Sequence, residues 1–392
     1  MDTHSMSGEL HEKSGVGHIV RATGSALTVR SAALIARGLR DLARDANWLT
    51  TKIFAGVSPH VAISSRGQVC AVGPHKKGEP QRLVVYDLGG DGPALALTVP
   101  NEAMSFGSQL ASRAAFAWSP SGQFLVAAWG LWEPALHLFD MHGKMFVEMF
   151  GEFAQFPRHI TWSTLGRYFA LAGNGNNGSL ELWTAQPMST VLVGPALKRI
   201  GPPDLSPPQA GNAEGPEGSS NAPADAEIFA GYGRLAFSAN ECLLAAVVEI
   251  NGEWADDLIL LADLPGFQQR SLIPAQGHIT DLTWTPNSRQ ILYCAAGQAF
   301  RVKVDAEAPE SEPLPFGAEL ISCHPHRPLC VCFSSWLKNS AKGRLFLVNL
   351  DTMETLDEHP AENVADLRWS SDAAKAYAVT RDGLAFTYEP PF

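Results

Sequence analysis

At 392 residues, with 18% charged and 45% hydrophobic side chains, the chain has the composition of a packed globular protein and not of a disordered one. A formal net charge of −11 and a pI near 5.5 argue against a general nucleic-acid binder, which carries a basic face. No run approaches the ~18 apolar residues that cross a bilayer, and the six cysteines sit mostly in apolar strand-like runs, as reduced thiols rather than a disulfide framework.

Residues 1–28 are polar, mixed in charge and without period, so a flexible tail is expected there. No apolar segment follows a basic start, which speaks against a secretory leader and makes a cytoplasmic location the expectation. Over residues 29–48 the apolar positions Ile35, Leu39, Leu42 and Ala46 recur at helical spacing, with Arg37, Arg40, Asp41, Arg44 and Asp45 on the other faces. That pattern predicts an amphipathic helix, with Ser31 as its N-cap. Its stripe of Ile35, Leu39 and Leu42 is a candidate docking element, set against packing on the chain's own domain.

After the helix the period changes from 3.6 to 2 and stays there. A lone strand is expected over Leu49 to Gly56, followed by seven similar openings. Each runs into an apolar anchor followed by a tight turn, the anchors being Ile63, Trp118, Trp162, Phe237, Trp284, Cys323 and Trp369. Their spacings are 55, 44, 75, 47, 39 and 46 residues, mostly the length of one four-stranded propeller blade. The two long gaps hold insertions, NEAMSFGSQLAS over 101–112 and a Pro/Gly/Ala/Ser-rich stretch over 201–227 that is expected to be disordered. Behind each opening come a second apolar strand (QFLVAAW, CLLAAVVEI, LCVCFSS) and a third (ALHLFD, LILLAD, RLFLVNL). A fourth, more variable strand closes the unit, for example ALALTV over 94–99.

The seventh unit ends after its third strand, and the spare strand at the front supplies the missing fourth. Closure of the last blade by the N-terminal strand removes two unpaired sheet edges. The expectation is an all-β, seven-bladed β-propeller over 49–392, preceded by the helix and the tail.

These repeats resemble the WD-repeat family, over Leu49 to Phe392. Gly277 and His278 supply that family's Gly-His pair ahead of the fifth opening. Asp382 and Tyr388 keep its six-residue Asp–Trp spacing with Tyr for Trp, and Asn177 and Trp183 keep it with Asn for Asp. The resemblance implies a non-catalytic platform for a protein or peptide, and a structural role for His159 and His278, which would tie each blade's turn. The fold alone does not establish that function. A propeller enzyme with a channel site, either a metal-dependent hydrolase or lactonase-like, and a small-molecule sensor are the alternatives. No cofactor, metal, membrane or nucleic-acid partner is expected.

The tryptophan anchors recur at one blade position, which argues for packing between sheets rather than ligand stacking. Cys323, His324, His326, Cys330 and Cys332 form the one cluster with ligand chemistry. Its spacing matches no standard zinc knuckle, and its strand-like setting favours buried thiols. No nucleophile elbow, HExxH, Walker loop or dinucleotide fingerprint occurs, and GNGNNG over 173–178 reads as a turn between antiparallel strands. Asp281 and Asp366, near the starts of two first strands, are the acidic channel candidates. The candidate binding face comprises Arg113, Arg158, Arg234, Asp281, Asp366 and Arg368, all at the entries to first strands, with solvated rim charges as the competing reading.

Overall fold

The computed structural model describes residues 48–54, 58, 60–72, 82–88, 93–98, 114–129, 135–140, 145–150, 157–173, 180–184, 198–200, 229–250, 256–264, 266–306, 309–335 and 343–390. The expected tail, the docking stripe Ile35, Leu39 and Leu42, the insertion over 201–227 and Arg113 lie outside these residues.

The described strands form seven four-stranded antiparallel sheets. Blades 1 to 6 span 61–98, 114–150, 157–200, 229–274, 279–313 and 320–360 in chain order. Blade 7 takes three strands from 364–388 and its fourth from Trp48–Lys52, which pairs antiparallel with Leu384–Tyr388. The first strands touch their neighbours in an unbroken cycle, so the ring is closed. Closure by the front strand is as expected, but the strand is Trp48–Lys52 and not Leu49 to Gly56. The expected helix therefore ends too late by at least one residue. Trp48 is drawn into the strand because its ring is buried against Tyr388, with centroids 4.5 Å apart, and stacks on His359.

Seven apolar clusters fill the seven junctions between successive blades. The period of 2 explains how one strand serves two junctions. In the second strand of blade 4, Leu244, Ala246 and Val248 face blade 3, whereas Leu243, Ala245 and Val247 face blade 5. A strand buried on both faces loses the polar alternation of a half-exposed one, hence runs such as LLAAVV and LCVCFS.

All seven anchors are the last residue of a first strand: Val61–Ile63, Ala114–Trp118, Pro157–Trp162, Phe229–Phe237, Ile279–Trp284, Leu320–Cys323 and Val364–Trp369. Each tryptophan anchor donates its indole N–H to a backbone carbonyl of the preceding blade. Trp118 reaches Ala62 at 3.2 Å, Trp162 reaches Ala117 at 3.1 Å, Trp284 reaches Ala236 at 2.9 Å and Trp369 reaches Ser322 at 2.9 Å. The acceptor is always the residue just before the preceding anchor.

The residue after each anchor holds the turn. Ser64, Ser119, Ser163, Ser238, Thr285 and Ser370 accept a backbone N–H from the start of the second strand. In blade 6 His324 takes this place, its Nδ1 accepting from His326 and Arg327 N–H at 2.9 Å each. Four residues past the anchor the backbone enters the left-handed region, with glycine in blades 1 to 3 (Gly67, Gly122, Gly166) but Glu241, Ser288 and Ala373 in blades 4, 5 and 7. Glu241 offsets its strain by crossing to blade 3, where it accepts from Leu165 N–H at 2.5 Å and Arg167 Nε at 2.7 Å.

Two outcomes test this architecture. Removing Trp48–Lys52 is expected to replace the single cooperative thermal unfolding transition with a broadened one, because blade 7 then exposes an edge; an unchanged transition would contradict closure. Trp284→Phe keeps the ring in place but strands the Ala236 carbonyl, and a loss of about 1–2 kcal/mol in urea unfolding is expected.

Candidate functional site

Six of the seven blades open on one cavity of about 390 Å³, at the entries to their first strands. The position arises from backbone irregularity. Between first and second strands the register slips, leaving Arg158 unpaired in blade 3, Thr280 in blade 5 and Ala365 in blade 7. Blade 4 has the same feature at Gly233 and Arg234. All five residues line the cavity. A bulge frees its extra residue from the ladder and re-aims the side chains around it.

The residue after each single-residue bulge crosses to a neighbouring blade. His159 Nδ1 accepts Leu235 N–H at 3.1 Å, Asp281 Oδ2 accepts Ile321 N–H at 3.0 Å, and Asp366 Oδ2 accepts Ile63 N–H at 3.0 Å. These links join blades 3 to 4, 5 to 6 and 7 to 1. His159 therefore ties two blades together, whereas the resemblance implied a bond to its own turn; the bulge has turned its ring toward the neighbour. His278, ahead of the first strand of blade 5, likewise bonds outside its own blade. Its Nδ1 lies 3.0 Å from Oδ2 of Asp257, a buried carboxylate at the start of the third strand of blade 4 that also accepts Ile279 N–H at 2.8 Å. Gly277, at a φ of +94°, makes the bend that presents His278.

Of the candidate face, Arg158, Arg234, Asp366 and Arg368 line the cavity, and Asp281 stands beside it, 3.9 Å from Arg234 Nε. Sequence reasoning missed three residues. Arg381 follows the second strand of blade 7, Glu249 lies within the second strand of blade 4, and His60 precedes the first strand of blade 1. Alignment of the openings alone finds only first-strand entries, although His60 stood at the start of one. Glu249 holds Arg158 at 2.9 Å, and a Cβ on Gly233 would meet its Oε1 at 2.7 Å, so a side chain there would displace the Glu249 carboxylate.

The charges act on one another across the cavity. Burial lowers the pKa of His159 well below the ordinary imidazole value, and the Arg234 and Arg368 guanidiniums add to that effect. Burial raises the Asp281 carboxyl, and Arg234 opposes the rise. Arg368, from blade 7, thus acts on groups of blades 3 and 5. The acceptor role of Nδ1 places the His159 proton on Nε2.

The cysteine cluster has a different character. Cys323 pairs in register with Cys330, and Cys330 Sγ lies 3.6 Å from Cys332 Sγ. Burial pushes the Cys294, Cys323 and Cys332 thiols well up, which disfavours the thiolate that a metal requires. The ring of His324 closes on Trp369 at 4.7 Å while its Nδ1 holds the turn. Among the described residues no three His, Cys, Asp or Glu side chains are arranged to hold a metal ion.

His159 yields a pH test. Its folded pKa is depressed, so as pH falls below about 6.5 the unfolded chain takes up a proton that the folded chain refuses, and stability declines. The contribution is complete above that value. In urea unfolding at about pH 5.5 and about pH 7.5, His159→Gln is expected to show a smaller pH difference than the parent protein. It should also be about 1 kcal/mol less stable at the higher pH, where the Leu235 N–H loses its acceptor.

Comparison with known proteins agrees with the fold. The sequence model of the eukaryotic translation initiation factor eIF2A family matches residues 104–194, which include blade 2 and the first three strands of blade 3. Comparison with curated proteins gives no significant match. Among solved structures, the β-propeller domain of Myceliophteria thermophila Cps50 (Swd1) superposes with a TM-score of 0.56 at 16% identity, covering 87% of this chain and 100% of that one. Hydrazine synthase of Kuenenia stuttgartiensis superposes with a TM-score of 0.59 at 12% identity, covering 87% and 97%. With its closed ring and its repeated anchors, the chain is a seven-bladed β-propeller of divergent repeats, similar in fold to the WD-repeat propellers.

Proposed function

We propose that this propeller is a non-catalytic interaction platform and that a segment of a partner polypeptide seats at the channel entrance. One observation carries the reading: six blades present side chains to a single cavity, and the residues there include arginines, the charged type most used as interface anchors. The structural likeness to a propeller of the WD-repeat type supports the same role by analogy. The acidic groups that a channel enzyme would use have other work, since Asp281 and Asp366 each hold a backbone amide of the next blade. A small-molecule sensor is the second reading, favoured by a cavity volume within the ~300–1,000 Å³ range of small-ligand pockets. The six free cysteines support placement in the reducing cytoplasm. The amphipathic stripe Ile35, Leu39 and Leu42 is proposed as an auxiliary docking element.

The test is site-directed photo-crosslinking in the source cell, with benzoylphenylalanine at cavity-lining Phe116 and, as control, at exposed Leu356 in the fourth strand of blade 6. A polypeptide adduct from Phe116 and none from Leu356 is expected. Equal adducts at both positions, or none at Phe116, would overturn the platform reading. Loss of the adduct in a folded protein carrying Leu39→Asp and Leu42→Asp would make the stripe part of the docking surface.

A further inference from the structure

The described cavity lining contains four arginines, Arg158, Arg234, Arg368 and Arg381, against two carboxylates, Glu249 and Asp366. This excess of positive charge stands in a chain whose formal net charge is −11. The nearby acids do little to neutralise it. Asp366 accepts Ile63 N–H through Oδ2 and its neighbour Leu367 N–H through Oδ1, both at 3.0 Å, so Arg368 Nε is only a loose ion-pair partner at 3.6 Å. Asp281 is held by Ile321 N–H, and Arg234 Nε, 3.9 Å away, donates instead to the Thr280 carbonyl at 3.1 Å. Arg381 is exposed, and its guanidinium has no carboxylate partner among the described residues. Arg158 differs, because Glu249 engages it at 2.9 Å.

An arginine fork with unused donors in a cavity suits an oxyanion, which it engages through two parallel N–H bonds. Resting on the platform reading above, we infer that the cavity binds a carboxylate-bearing segment of the partner, an Asp/Glu-containing peptide gripped by Arg234, Arg368 and Arg381. An acidic peptide fits better than a nucleic acid, because these four arginines share one concavity of a protein with a formal net charge of −11, and an extended polyanion would meet net repulsion beyond it. A peptide also suits the volume better than a lone inorganic anion, since about 390 Å³ holds several side chains.

The probe is a fluorescein-labelled peptide of alternating Glu and Gly, read by anisotropy with the full-length protein. The Gln–Gly peptide, a phosphoserine–Gly peptide and free inorganic phosphate are the comparisons. The Glu peptide is expected to bind on the order of tenfold or more tightly than its Gln isostere, with affinity falling as salt rises. Arg234→Gln, Arg368→Gln and Arg381→Gln should each weaken binding by about tenfold, the scale of one lost charge-assisted contact, while Arg158→Gln has a smaller effect. Thermal unfolding checks that each variant is folded, and the exposed Arg381 is the variant least able to disturb the blades.

Absence of Glu-peptide binding, equal binding of the Gln peptide, or indifference to Arg381→Gln would overturn the inference. Much tighter binding of the phosphoserine peptide would overturn it in favour of a phosphopeptide, and displacement by equimolar phosphate in favour of a small anion. An adduct at Phe116 that persists in the triple Arg→Gln protein would sink the carboxylate inference while leaving the platform standing. Loss of every Phe116 adduct from the otherwise unaltered protein would remove the platform itself.

Discussion

Each blade of this protein has two apolar faces and no means of covering either by itself. The second strand of blade 4 makes the constraint concrete, since alternate residues of LLAAVV lie in the clusters of two different junctions. A sheet of that kind is soluble only between two others, so the structure must continue until it meets its own beginning. Closure follows from burial. The strand Trp48–Lys52 is where it is completed, and the packing of the Trp48 ring on Tyr388 and its stacking on His359 seal the join within the cluster shared by blades 6 and 7.

Burial alone leaves the blades free to slide and tilt against one another, and the hydrogen bonds between blades remove that freedom. Four indole N–H groups reach carbonyls of the preceding first strand, while His159, Asp281 and Asp366 accept amides of the following one. On the turn side, Ser65 Oγ donates to the Pro120 carbonyl at 2.6 Å, and Asn240 N–H donates to Ser288 Oγ at 3.0 Å. The four anchor indoles and the Asp281 and Asp366 carboxylates each have a hydrogen-bond partner, which matters because an unpaired buried polar group costs about 1–3 kcal/mol. The buried Trp48 indole N–H at the closure has none among the described residues. The paired groups thus fill space, answer their own desolvation and fix the angle between blades. Where the anchor has no N–H, as with Ile63 or Phe237, neighbouring links take over: the Asp366 carboxylate reaches Ile63 and the His159 imidazole reaches Leu235.

Much of this was legible because packing writes itself into residue type. The alternation of apolar residues, the bulky anchor and the hydroxyl after it recur, since each answers a local demand that every blade repeats. The missing fourth strand could be matched with the spare one by simple counting. The bulges were not legible. Arg158, Thr280 and Ala365 are chemically unlike, and nothing in their identity shows that they have left the ladder. The chain-distant contacts were hidden for a similar reason. Asp257 meets His278, and Glu249 meets Arg158, only because the sheets bring together segments that no linear spacing connects. Glu241 was hidden as well, standing where blades 1 to 3 have glycine and making an ion pair that only the ring geometry permits.

The distribution of charge at the channel follows from the same logic. A carboxylate next to a strand entry can accept the free amide of the adjoining blade, so Asp281 and Asp366 are absorbed into the architecture. A guanidinium has no lone pair with which to satisfy an amide, and the backbone beside it offers few carbonyls that the ladder has not already taken. Arg234 finds one, at Thr280, and still keeps its terminal nitrogens. The ring thus engages Asp281 and Asp366 through backbone amides, while Arg234, Arg368 and Arg381 keep guanidinium donors toward the cavity. A cavity framed in this way becomes positive without any change in the protein's overall acidity, and its charge is held in place by blades that cannot move independently. For the carboxylate recognition proposed above, such preorganisation would lower the entropic cost of engaging an anion.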